Sequence, residues 1–84
     1  MPRQTSKYMW DKIVFELRSE RHLDCTQEGL ARKLRVSVFS VSKWERGTVP
    51  AAQVRARIRK IAEEVGYTQA SWPTISQKIG IVKR

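Results

Sequence analysis

Residues 26–47, TQEGLARKLRVSVFSVSKWERG, constrain the fold of this chain more than any other stretch. Thr26 and Ser37 stand where helix N-caps belong, each with a hydroxyl able to accept from the backbone N–H groups of a first turn. Leu30, Ala31, Leu34, Val36, Val41 and Trp44 place apolar or small side chains at the spacing two packed helices need, and Ala31 is small enough for close approach. Glu28 suits the positive start of the first helix, and Gly47 the left-handed residue that closes the second. The segment therefore predicts a helix ending near Leu34, a tight turn, and a helix ending at Glu45 or Arg46. The polar and basic positions of the second helix are left outward for a ligand.

The flanking sequence completes a small all-α domain. Residues 1–8, MPRQTSKY, are polar with an early proline and read as a flexible basic arm. Trp10, Ile13, Val14 and Leu17 follow helical spacing, which predicts a first helix over residues 9–21 and a link over 22–25. Pro50 suits the entry to a fourth helix over 51–65, which buries Val54, Ile58, Ile61, Ala62 and Val65 and projects Arg55, Arg57, Arg59 and Lys60; Gly66 ends it. Residues 9–66 thus form the domain. In the tail, 67–84, Trp72, Ile75, Ile79 and Ile81 are too apolar for a simple linker and are expected to pack on the core or meet a second subunit.

Composition narrows the function. The chain has 84 residues, and a domain of that size buries only about 60% of its unfolded surface. A single cysteine, Cys25, leaves no internal disulfide, and with one histidine, His22, no four-ligand zinc site of the usual kind; no cofactor is expected. Nor does one His with one Cys supply a nucleophile and base set, so no enzyme is expected. No apolar run approaches the roughly 20 residues that span a bilayer, and the first nine residues lack a signal-like apolar core. The expected location is the cytoplasm, at the nucleoid when bound to DNA. Formal net charge is +9, and residues 29–62 hold nine bases against one acid, Glu45, a net +8. Double-stranded DNA is the obvious polyanion for such a segment.

The pattern TQEGLA, then VS, then VSKWERG, then a proline, resembles the Cro/Xre-type helix-turn-helix family of phage repressors and bacterial regulators over residues 10–65. The resemblance implies a compact four- to five-helix, lambda-repressor-like domain whose third helix lies in the major groove. It places Ser37, Val38, Phe39, Ser42 and Lys43 against base edges, and Thr26, Gln27, Arg35 and Arg46 on phosphate. The WERG-then-proline version with an Arg-rich fourth helix looks closest to small antitoxin-like or phage-type regulators. In the family the glutamate matching Glu45 pairs with an arginine of helix 1; Arg18 is the first choice here and Arg21 the second, because the link after helix 1 is about two residues longer than usual. Arg35 stands where the family has glycine with positive φ, at a cost of about 1 to 2 kcal/mol.

Several residues keep two readings. Phe39 either meets a thymine methyl, with Lys43 donating to guanine, or folds over Val36 or joins a dimer contact. Val38, three before Val41, is base-facing or core. The helix-4 arginines are a solvated face or nonspecific phosphate contacts. Gly29, worth about 1 kcal/mol less than alanine within a helix, marks a close backbone approach or a tolerated weakness. Cys25 reads as a small buried hydrophobe.

The leading function is a sequence-specific transcriptional regulator, a repressor by occlusion, bound as a homodimer to a pseudo-palindromic site. A toxin or the transcription machinery is a further candidate partner, and no membrane is expected. The alternative is a protein-interaction adaptor of the bridging-factor type, with the same fold but no base readout.

Overall fold

Four α-helices follow one another in the computed structural model, which describes residues 7–75: α1 (Trp10–Arg18), α2 (Gln27–Leu34), α3 (Val38–Glu45) and α4 (Ala52–Glu64). A 3-10 turn, Gln69–Ser71, comes after them. Both hydroxyl caps form as their positions suggest: Thr26 accepts from the Gly29 N–H at 3.0 Å and Ser37 from the Ser40 N–H at 3.2 Å. Gly29 is a close approach, because a Cβ there would stand 3.1 Å from Cys25 Cβ.

Helices α2, α3 and α4 close in one way. Beyond each last turn a residue with positive φ reverses the chain: Arg35 (61°), Gly47 (120°) and Gly66 (81°). The next N–H then reaches back to the last turn: Val36 to Ala31 O, Thr48 to Lys43 O and Tyr67 to Ala62 O. Two of these sites use glycine, for which the conformation costs nothing, and the third uses arginine. Helix α1 stops at Arg18, three residues earlier than its apolar spacing suggests. The reason is that the link folds back onto its end: Leu23 N–H bonds Leu17 O and Cys25 N–H bonds Arg18 O, satisfying carbonyls that further helix would have used.

The core is the meeting of these apolar faces. Trp10, Ile13, Val14 and Leu17 of α1, Leu30, Ala31 and Leu34 of α2, Val41 and Trp44 of α3, and Ile58 and Ala62 of α4 are buried in one cluster. Val54, Ile61 and Val65, expected in the core, are only partly buried and pack on its margin, so α4 covers the core with a narrower stripe than its sequence offered.

Tyr67 and Trp72 extend this core into the segment after α4. The Trp72 indole N–H donates to Tyr67 O at 3.0 Å, and its ring stands edge-on to Trp10 and to Tyr8, each with centroids 5.2 Å apart. The two ends of the described chain then pair: Met9 N–H to Pro73 O, Ile75 N–H to Lys7 O, and an antiparallel bridge between Tyr8 and Thr74. Lys7 and Tyr8, assigned from sequence to the arm, are thus tied to the domain. Residues 1–6 of that arm, and Ile79 and Ile81 of the tail, lie outside the described residues.

Candidate nucleic-acid interface

Helix α3 presents its polar side to solvent because Val41 and Trp44 turn the opposite side inward. Phe39 is 74% exposed, and Ser37, Lys43 and Arg46 are exposed too, with Ser42 half-buried beside them. Val38 departs from this set. It is half-buried and packs against the core, since it lies one helical turn before Val41. Ser37 spends its hydroxyl as a cap and lies 3.2 Å from the Ser40 hydroxyl, so the two form a unit at the start of α3.

At the far end of α3, three elements converge on Glu45. Arg18 Nε donates to Oε2 at 2.7 Å and its second terminal nitrogen to Oε1 at 3.1 Å, while Gln27 Nε2 donates to Oε1 at 2.9 Å. The bond to Glu45 raises the Arg18 pKa above its usual value, against a smaller opposing effect of burial. Arg18 also donates to Cys25 O at 3.2 Å and lies over the exposed Phe15 ring, 5.5 Å from its centroid. Arg21 stands apart, 3.6 Å from Glu16. Gln27, expected on phosphate, thus commits one amide hydrogen to an internal contact that pins the start of α2 to the end of α3. Thr26 Oγ1 likewise serves the helix as its cap.

Two arginines of α4 serve a purpose their spacing had not suggested. Arg57 donates to Leu34 O at 2.8 Å, meeting one of the carbonyls that the end of α2 leaves unpaired, and Arg55 donates to Pro50 O at 2.9 Å. A run of arginines carries no sequence signal for such bonds, which depend on where α4 crosses α2. Arg35, left-handed and exposed, lies beside this contact. Among the described residues no carboxylate lies within 4.0 Å of Arg32, Lys33, Arg35, Lys43, Arg46, Arg55, Arg57, Arg59 or Lys60. None of these cations is therefore held in an ion pair among the described residues, although Glu28 of α2 and Glu63 and Glu64 of α4 share their helices.

On the α1 side a groove of about 980 Å³ runs past Phe15, Glu16, His22, Gln27, Arg46 and Tyr67. His22 stacks on Tyr67 with centroids 4.5 Å apart, and its Nε2 is 3.4 Å from Glu16. Burial pushes the Cys25 thiol pKa up, which favours the unreactive protonated form. Among the described residues no cluster of His, Cys, Asp and Glu is arranged to hold a metal ion, and no helix is long and apolar enough to cross a membrane. Scans of protein-family models, of curated proteins and of solved structures each return no match to this chain. The outward side of α3 thus combines the exposed Phe39 ring with Lys43 and, just past the end of the helix, Arg46.

Proposed function

We propose that the protein is a sequence-specific DNA-binding transcriptional regulator of the Cro/Xre, lambda-repressor-like type. In this reading α2, residues 35–37 and α3 are the helix-turn-helix, and α3 enters the major groove. The observation that carries it is the outward side of α3, where a 74% exposed Phe39 stands with Lys43 and Arg46, neither of which has a carboxylate partner among the described residues. A large aromatic so placed gives no folding energy, whereas a thymine methyl in the major groove is an apolar surface for it, and Lys43 is a donor for guanine O6 or N7. Ser37 and Ser42 flank these two, and Thr26, Gln27, Arg35 and Arg46 supply the surrounding phosphate contacts. One helix reads a half-site, so the working form is a two-fold dimer on a pseudo-palindrome that represses by occlusion.

Selection of bound sequences from a random duplex library at physiological salt tests this, with wild type and Lys43→Ala in parallel. The expected result is a two-fold motif that relaxes at one position per half-site in the variant, because salt suppresses the sequence-independent contribution. Absence of any enriched motif, with Lys43→Ala and Phe39→Ala leaving DNA affinity untouched, would replace this reading with the bridging-factor type of adaptor.

A further inference from the structure

We infer that Arg35 and Arg57 form a second phosphate grip, at the opposite end of α3 from Thr26, Gln27 and Arg46. The inference rests on the DNA-binding reading above. Its starting point is the bond from Gln27 to Glu45, which sets the beginning of α2 against the end of α3. The end of α2 and residues 35–37 consequently mark the beginning of α3. Any phosphate contacts of Thr26, Gln27 and Arg46 are thus confined to one end of the reading helix.

The end beside Ser37 holds Arg32, Lys33 and Arg35 from the chain itself, and Arg57 is delivered there from α4 by its bond to Leu34 O. One cation suffices to answer the roughly half negative charge at the end of a helix, so four leave a large excess. No carboxylate among the described residues lies within 4.0 Å of any of them. The 2.8 Å bond fixes the Arg57 guanidinium and leaves its other N–H groups as donors, in the planar fork that suits a phosphate. Arg35, exposed and next in sequence to Leu34, has its backbone held left-handed in the same turn. Arg59 lies two residues beyond Arg57, about 200° further around α4, and is half-buried; it serves as the internal control.

The test is the salt dependence of binding by the full chain to a mixed-sequence duplex, for wild type, Arg35→Gln, Arg57→Gln, Arg57→Lys and Arg59→Gln. Each phosphate contact contributes about 0.9 to the slope of log Kobs against log salt. Arg35→Gln and Arg57→Gln are expected to be shallower by about that amount, while Arg57→Lys and Arg59→Gln keep the wild-type slope. Wild-type slopes in both glutamine variants, or an equal loss in Arg59→Gln, would overturn the grip while leaving the DNA reading intact. Failure of wild type to bind the duplex even at low salt would overturn the reading itself. Arg35→Gln removes no hydrogen bond within the fold, so it decides the matter alone if Arg57→Gln lowers the thermal midpoint.

Discussion

Arg18 and Glu45, 27 residues apart in the chain, meet in a two-pronged ion pair with Nε 2.7 Å from Oε2 and a second nitrogen 3.1 Å from Oε1. Their side chains are only 18% and 12% exposed, so each charge depends on the other for much of its solvation. The pair holds α1 to α3, and Gln27 adds α2 to the same carboxylate. The direction of α3, and with it of Phe39 and Lys43, is set at this junction.

Glu45→Ala strands the Arg18 guanidinium and removes the Gln27 acceptor, at an expected cost of about 3 kcal/mol. For a domain of this size that lowers the thermal midpoint by more than about 10 °C. Calorimetry checks it, and an unchanged midpoint would mean the pair is not structural.

Arg35→Gly is expected to stabilise the fold by about 0.5 to 1 kcal/mol, because the roughly 1 to 2 kcal/mol that φ of 61° costs a β-carbon is partly offset by the greater freedom glycine loses on folding. Urea denaturation measures it. A lower midpoint would show that the arginine side chain contributes more than its backbone loses.

Trp72→Ala removes a 3% exposed ring from between Tyr8 and Trp10 and leaves Tyr67 O without its indole donor. The expected loss is about 3 to 5 kcal/mol, close to the whole stability of a small domain. Far-UV circular dichroism of the variant should show a substantial unfolded fraction at 37 °C; a fully helical spectrum with a wild-type midpoint contradicts the packing role.

Tyr67 predicts the alkaline limit. Burial, with a smaller effect of Glu16, pushes its hydroxyl up to about 12 from the usual 10. The unfolded chain therefore loses this proton before the folded one does. The stabilisation is complete below pH 10 and is lost as pH rises through 12, amounting to about 2 kcal/mol over that window. Comparing wild type with Tyr67→Phe by urea titration at pH 9 and 12 isolates it: the difference between the two should shift toward the phenylalanine variant at the higher pH.

Phe39→Ala separates function from folding. At 74% exposure the ring supports little packing, so stability should stay within about 0.5 kcal/mol while the selected duplex binds more weakly. A clear loss of midpoint would place Phe39 in the fold instead of at the interface.

Much of this arrangement was legible in the chain because it depends on neighbours. The caps Thr26 and Ser37, the apolar positions of α1 to α3 and the outward side of α3 each follow from a period or a local hydrogen bond. The left-handed residue at 35 was likewise expected from the resemblance to a turn that usually holds glycine.

What sequence could not supply were contacts set by how helices cross. Val38 lies on the boundary between two sides of α3, and only packing decides which one it joins. Arg57 is indistinguishable in sequence from Arg59, yet one caps α2 and the other does not. The early end of α1 depends on the link folding back, and Tyr8 meets Trp72 only because α4 returns the chain to its start. Sequence by itself determined where helices form and which side of each is apolar, since both follow from local periodicity and capping. Tertiary structure alone decided which charges are paired, which carbonyls are capped and which rings touch, because those depend on the crossing of elements distant in the chain.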